Sequence, residues 1–238
     1  MESKIKFLEN YSFVKNPDIK IFKADEIKQI PKNTIPEVWY TIFEIEDMQK
    51  RIDSMLEIWK KYCSKELSLT INCLEQNTIA VELIRVNERY IVLYSIKMSD
   101  GEIKYYQGGN TLEGIQNSAL EKVWDTLTIS IKQFYENVHN GFDDYTIKSM
   151  GLCWIPWVTY FGDDDLEWGI LEDLEEPLQI DIDATFGFFD NGAGGYVAID
   201  TSNNDIDNAV VWFSDDQPEY HVNFWDVVDE WIIIGMES

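Results

Sequence analysis

The last third of the chain constrains the fold most. Between Ala184 and Gly235, three short runs rich in β-branched and aromatic residues follow one another: Ala184–Phe189, Tyr196–Asp200 and Val210–Phe213. Turns rich in Gly, Asn and Asp separate them, a pattern of paired strands. An amphipathic segment follows at Asn223–Ile234, with Phe224, Val227, Val228, Trp231 and Ile234 recurring at three- and four-residue steps, so one helix face is core. Asn223 suits an N-cap, Asp226 places a carboxylate in the first turn, and Gly235 stands at the predicted stop. The expected unit is a small sheet closed by a helix. It contains no catalytic signature.

Charge is the second constraint. Across 238 residues there are 44 acidic and 19 basic side chains, a formal charge of −25. From Asp143 onward there are 23 acidic residues and a single base, Lys148, so nearly all the excess lies there. Such a field opposes phosphate, which argues against nucleic acid as a partner, and it speeds encounter with a basic protein. A general acidic bias would have loaded both parts alike. The opening MESKIKFLEN lacks the apolar core of a signal peptide, and no apolar run approaches the roughly 18 residues of a membrane span. Cys63, Cys73 and Cys153 are odd in number with no CxxC spacing, as expected of reduced thiols in a cytoplasmic protein.

Upstream, residues 1–35 read as strands with a short helix near Ala24–Ile30, and Val38–Ile45 is β-branched and aromatic. Glu46–Ser64 is predicted helical, with Met48, Ile52, Met55, Leu56 and Trp59 inward. Ser68–Leu74, Thr78–Val86 and Arg89–Met98 are predicted strands, and Asp100–Gly101 turns into Glu102–Tyr106, the pattern of an antiparallel meander. Gln107–Asn110 is a break in pattern, dividing residues 1–110 from 111–238. Thr111–Val138 is predicted helical in two pieces, with Leu112, Ile115, Leu120, Trp124, Leu127, Ile131, Phe134 and Val138 inward and Gly141 at the stop.

No constellation carries chemistry. Asp163–Asp165 with Glu167 lacks the alternating ligand spacing of a calcium loop, so no metal is expected. Asn191–Gly195 lies between two β-runs rather than before a helix, which suits a hairpin better than a phosphate cradle. His139 and His221 have no Ser or Cys motif beside them. His139 is placed at a helix end, where a partly charged imidazole meets free carbonyls. Cys153 sits in an apolar run suited to an inert thiol. Trp154, Trp157 and Trp168 stand beside the acidic loops, where an aromatic ringed by carboxylates would anchor a basic protein.

The order FYENVHNGF (134–142), SMGLCWIP (149–156), LEWGIL (166–171), FGFFDNGAGGYVAID (186–200), AVVWFSDD (209–216) and FWDVVDEWIIIG (224–235) resembles the SUKH superfamily. Its bacterial members are chiefly immunity proteins of polymorphic toxin and contact-dependent inhibition systems. The resemblance covers about Thr111 to Gly235, a SUKH-like module. It implies an α+β fold with a central, mostly antiparallel β-sheet flanked by helices. It implies a non-catalytic role, with no cofactor: binding and neutralising a cognate toxin, often a nuclease. Gly141, Gly151, Gly195 and Trp225 match its landmarks and look structural. Residues 1–110 depart from a minimal module, as an α+β extension of the sheet or a separate part. The partner-binding residues expected from charge are Asp163, Asp164, Asp165, Glu167, Trp168, Glu172, Asp173, Glu175 and Glu176. The alternative is a regulatory or scaffold protein of the same fold with a non-toxin partner.

Overall fold

A computed structural model describes residues 2–163, 168–203 and 205–238. In chain order its elements are α1 (Glu2–Asn10), β1 (Ile19–Ile21), α2 (Glu37–Phe43), α3 (Met48–Cys63) and α4 (Ser68–Asn77). Next come β2 (Thr78–Val86), β3 (Arg89–Lys97), β4 (Ile103–Gly109), α5 (Ser118–Val123) and α6 (Ile129–Asn137). The remainder is β5 (Phe142–Asp144), β6 (Gly151–Leu152), β7 (Thr159–Tyr160), β8 (Thr185–Asp190), β9 (Gly195–Asp200), β10 (Ala209–Phe213), β11 (Glu219–Val222) and α7 (Phe224–Glu237). The architecture is α+β.

The strands form one antiparallel sheet, ordered β1-β2-β3-β4-β5-β6-β8-β9-β10-β11. The short strands β6 and β7 share one edge of β8, pairing its C-terminal and N-terminal halves respectively. Across Asn110 the sheet continues without interruption: β4 runs to Gly109, and Gly108 lies opposite Phe142 of β5.

Alternation along the strands sorts side chains onto two faces, because the pleat has a period of two. Val92, Tyr94 and Ile96 of β3, Val197 and Ile199 of β9, and Val211 of β10 point into the main core. There they meet Trp39 of α2, Trp59 of α3, Phe134 of α6 and Ile232 of α7. Ile91 and Leu93 point the other way, onto Leu8 of α1. Ala198, Val210 and Trp212 also point to that second face, under the segment after β7. So helices cover one face fully, and the other is covered at its two ends.

Local chemistry explains the helix starts. Asp47 accepts from the Lys50 amide at 2.9 Å, Asn117 from Ala119 and Leu120, and Asn223 from Asp226. Several expectations are corrected. Ser68–Leu74 is not a strand but the body of α4. Its first amides, Leu69 and Thr70, donate at 2.8 Å each to the carboxylate of Asp229 in α7, a cap supplied from 160 residues away in sequence. Val38–Ile45 falls largely in α2, because Trp39, Ile42 and Phe43 share one buried helical face. Residues 2–10 form a helix rather than a strand.

Gly235 does not stop α7, which runs to Glu237. Its role is close approach: a Cβ there would lie 2.8 Å from Met150 Cβ and 2.9 Å from Tyr106 Oη. Leu112, expected inward, is 52% exposed in the loop before α5. Gly141 does take the left-handed conformation (φ 81°), and Asn191–Gly195 is a hairpin loop with Gly192 and Gly194 at positive φ. Among the described residues, no helix is long and apolar enough to cross a membrane.

Candidate functional site

The segment from Trp168 to Ala184 is a flap laid over the outer face of β9 and β10. Ile170, Leu171, Leu174, Leu178, Ile180 and Ile182 turn inward onto Phe161, Val210 and Trp212. Between them Glu172, Asp173, Glu175, Glu176, Asp181 and Asp183 are exposed. Side chains of the β10–β11 region hold the flap down: Gln217 donates to the Asp173 carbonyl (3.1 Å) and accepts from the Glu175 amide (3.1 Å), while Tyr220 Oη accepts from the Gln179 amide. An apolar underside with a carboxylate-bearing top is what this spacing builds from loop and two short 3-10 turns, Gly169–Glu172 and Ile182–Ala184.

Of the residues expected to bind a partner, Glu172, Asp173, Glu175 and Glu176 lie together on that top surface, and Asp163 is exposed where the flap segment begins. Asp164, Asp165 and Glu167 lie outside the described residues. Trp168 is half-buried. It packs edge-on against Phe161 and Trp212, at 4.9 and 5.0 Å between ring centres, and stacks on Tyr196 at 5.6 Å. It therefore pins the flap from beneath. Trp154 is also buried, and of the three tryptophans only Trp157 is strongly exposed, at 47%.

The acidic surface continues through Asp205, Asp207, Asp215, Asp216 and Glu219, all exposed. Ion pairs drawn among the described residues, such as Lys60–Glu75, Arg85–Asp18 and Arg89–Glu113, use carboxylates of the first half of the chain. Glu172, Asp173, Glu175 and Glu176 have no basic partner among the described residues. Their charge is left to solvent or to a visitor.

Of the two histidines, His221 is exposed beside Asn208 and His139 is sealed, as are the thiols of Cys63 and Cys153. His139 is fully buried among Trp39, Trp59, Tyr94 and Phe142. Its Nε2 lies 2.6 Å from Tyr94 Oη, which also accepts from Trp59 Nε1 at 2.9 Å. Burial drives the imidazole down to about 3, so it is neutral, correcting the expectation of a partly charged ring on helix carbonyls. Burial likewise raises the Cys63 thiol to about 12 and holds Cys153 far above the ordinary range.

Sequence reasoning missed a second polar cluster at the centre of the sheet. Asp143 of β5 is buried and accepts from Gln107 Nε2 of β4 at 2.7 Å. Burial raises its carboxyl to about 7, against the hydrogen bond from Gln107 and the charge of Lys148, which pull it down. Lys148 bonds the Tyr145 carbonyl and lies 3.3 Å from the Tyr145 ring centre. Burial lowers its ammonium to about 8, against Asp143 and Asp144. The turn holding these groups is strained, with Lys148 (φ 56°) and Met150 (φ 51°) both left-handed. The available signal was Lys148 itself, the single base of an acidic half.

The chain matches no protein-family model, no curated protein and no solved structure.

Proposed function

We propose that this chain is a non-catalytic protein-binding module of SUKH type. It acts as an immunity protein that neutralises a basic bacterial toxin, a nuclease being the best fit. One observation carries the reading: the flap presents Glu172, Asp173, Glu175 and Glu176 outward on an apolar underside, with no base among the described residues to neutralise them. A nuclease must display a basic surface to grip phosphates, and carboxylates held in phosphate-like positions can occupy it. Asp163 is exposed, and Asp164, Asp165 and Glu167 stand between it and the flap in sequence. Trp168 contributes by holding the flap in place. The inert environments of His139, Cys63 and Cys153 favour binding over chemistry.

The test is co-expression of the tagged protein with the product of the gene immediately upstream, followed by capture at low and moderate salt. Salt-sensitive capture of a basic toxin domain, with cells protected, is the expected result. Reversing Glu172, Asp173, Glu175 and Glu176 to lysine should then slow association by about tenfold or more and flatten its salt dependence. Unchanged association kinetics would remove the flap from the interface. Absence of both capture and protection would favour a regulatory or scaffold role with a non-toxin partner.

A further inference from the structure

On the sheet face opposite the main core, between α1 and the acidic flap, lies a cleft of about 250 Å³. Its walls include Phe13, Val14, Ile91, Tyr145, Trp154 and Trp157. Phe13, Val14 and Trp157 are 71%, 48% and 47% exposed, so apolar surface is left in contact with water at its mouth. At the roughly 30 Å³ a water occupies in the liquid, the cleft has the volume of about eight waters, the scale of a small organic guest.

The polar groups in this apolar lining are mainly donors with capacity to spare. Arg89 uses Nε and Nη2 on Glu113, leaving Nη1. Lys148 spends one of its three N–H bonds on the Tyr145 carbonyl. Trp154 is 4% exposed, and its Nε1 has no acceptor among the described residues. Of the carboxylates nearby, Glu88 lines the cleft and is exposed to water, while Glu113 is engaged by Arg89, Asp143 by Gln107, and Asp144 by the Thr146 amide and hydroxyl. A cationic guest is disfavoured, because the aromatic faces are already taken. The Arg89 guanidinium lies 4.0 Å over Trp154, and the Lys148 ammonium 3.3 Å over Tyr145.

We propose that this cleft binds a small apolar carboxylate, its hydrocarbon body between Phe13, Val14 and Trp157 and its carboxylate received by Lys148 and Arg89. The inference is independent of the toxin-binding reading. Hydrophobic walls supply affinity, and the two cations select for the anion over its neutral analogue.

The test compares 3-phenylpropionate with neutral 3-phenylpropanamide, titrated into the full-length protein by calorimetry while the Trp154 indole N–H is followed by NMR. The carboxylate should saturate one site, bind at least about tenfold more tightly than the amide, and shift the indole resonance. Lys148→Asn, which tolerates the left-handed backbone, should abolish most of that preference and leave amide binding unchanged. Trp157→Ala should weaken both ligands. Arg89→Gln serves as a second charge-removing variant if Lys148→Asn does not melt like the wild type. Equal affinity for the two compounds, no saturation by either in the millimolar range, or carboxylate binding indifferent to both the charge-removing variant and Trp157→Ala would each overturn the proposal.

Discussion

Replacing Asp229 by alanine should destabilise the protein by about 3–5 kcal/mol, although the residue belongs to the last helix and is far from any proposed interface. Asp229 is 5% exposed, and its carboxylate accepts two backbone amides, from Leu69 and Thr70, at 2.8 Å each. A hydrogen bond to a charged group contributes about 1.5–3 kcal/mol net, and a buried amide left unpaired costs about 1–3 kcal/mol. Both bonds share one carboxylate at one helix start, so their contributions overlap, which sets the lower end of the range. Leu67, the residue before α4, has no capping side chain, so nothing local replaces the loss. For a chain of this size the midpoint of thermal unfolding should fall by roughly 6–20 °C.

Urea denaturation followed by far-UV circular dichroism measures the change directly, with an unchanged slope showing that the variant remains two-state. Asp229→Asn keeps one acceptor and should lose about half as much. Glu230→Ala, one position along and exposed, should stay within about 0.5 kcal/mol of the wild type. Hydrogen exchange at the Leu69 and Thr70 amides should accelerate in Asp229→Ala before exchange elsewhere does. A loss below about 1 kcal/mol with those amides still protected would refute the cap as the reason that α4 is a helix.

Gly141→Ala should cost about 2–5 kcal/mol. Its φ of 81° is left-handed and a Cβ would lie 2.3 Å from Trp154 Cδ1, whereas Gly114→Ala meets nothing within 4 Å and should be near neutral. Tyr94→Phe should cost about 2–4 kcal/mol, because Trp59 Nε1 and His139 Nε2 both lose their buried partner, and thermal melts of the variant against the wild type check it. The raised Asp143 carboxyl makes the native state bind more protons than the unfolded chain between about pH 4 and 7, so this group's contribution is lost as pH rises through that window. The lowered His139 acts in the opposite sense, its contribution being lost as pH falls from 6.5 toward 3. The two oppose each other in the wild type. Asp143→Asn should therefore show stability rising more steeply with pH from 4 to 7, and identical pH profiles for variant and wild type would contradict the assignment.

Where a segment's own pattern and its environment agree, the sequence was sufficient. Thr78–Val86 and Arg89–Lys97 are rich in β-branched residues and alternate across a short polar turn, and both are strands at those bounds or within a residue of them. Met48–Cys63 carries one apolar helical stripe and a capping Asp; α7 keeps its Asn223 cap, but its buried face runs through Trp225, Val228, Ile232 and Met236, and Ile234, expected inward, is 50% exposed. The acidic character of the flap also follows from composition, since adjacent carboxylates must face water. Tertiary structure decided the rest. Ser68–Leu74 contains Thr70 and Ile71 and reads as a strand alone; as part of α4 it takes its cap from Asp229 and buries Ile71 and Leu74 in the main core. Trp168 looked like an exposed anchor, yet its ring fills a gap over Phe161 and Trp212 that exists only once β9 and β10 pair. Gln107 reaches Asp143, 36 residues away, only once β4 pairs with β5. Hydrophobic period and local caps are properties of neighbours in sequence, but a distant cap, a filled gap and a desolvated carboxyl arise from neighbours in space.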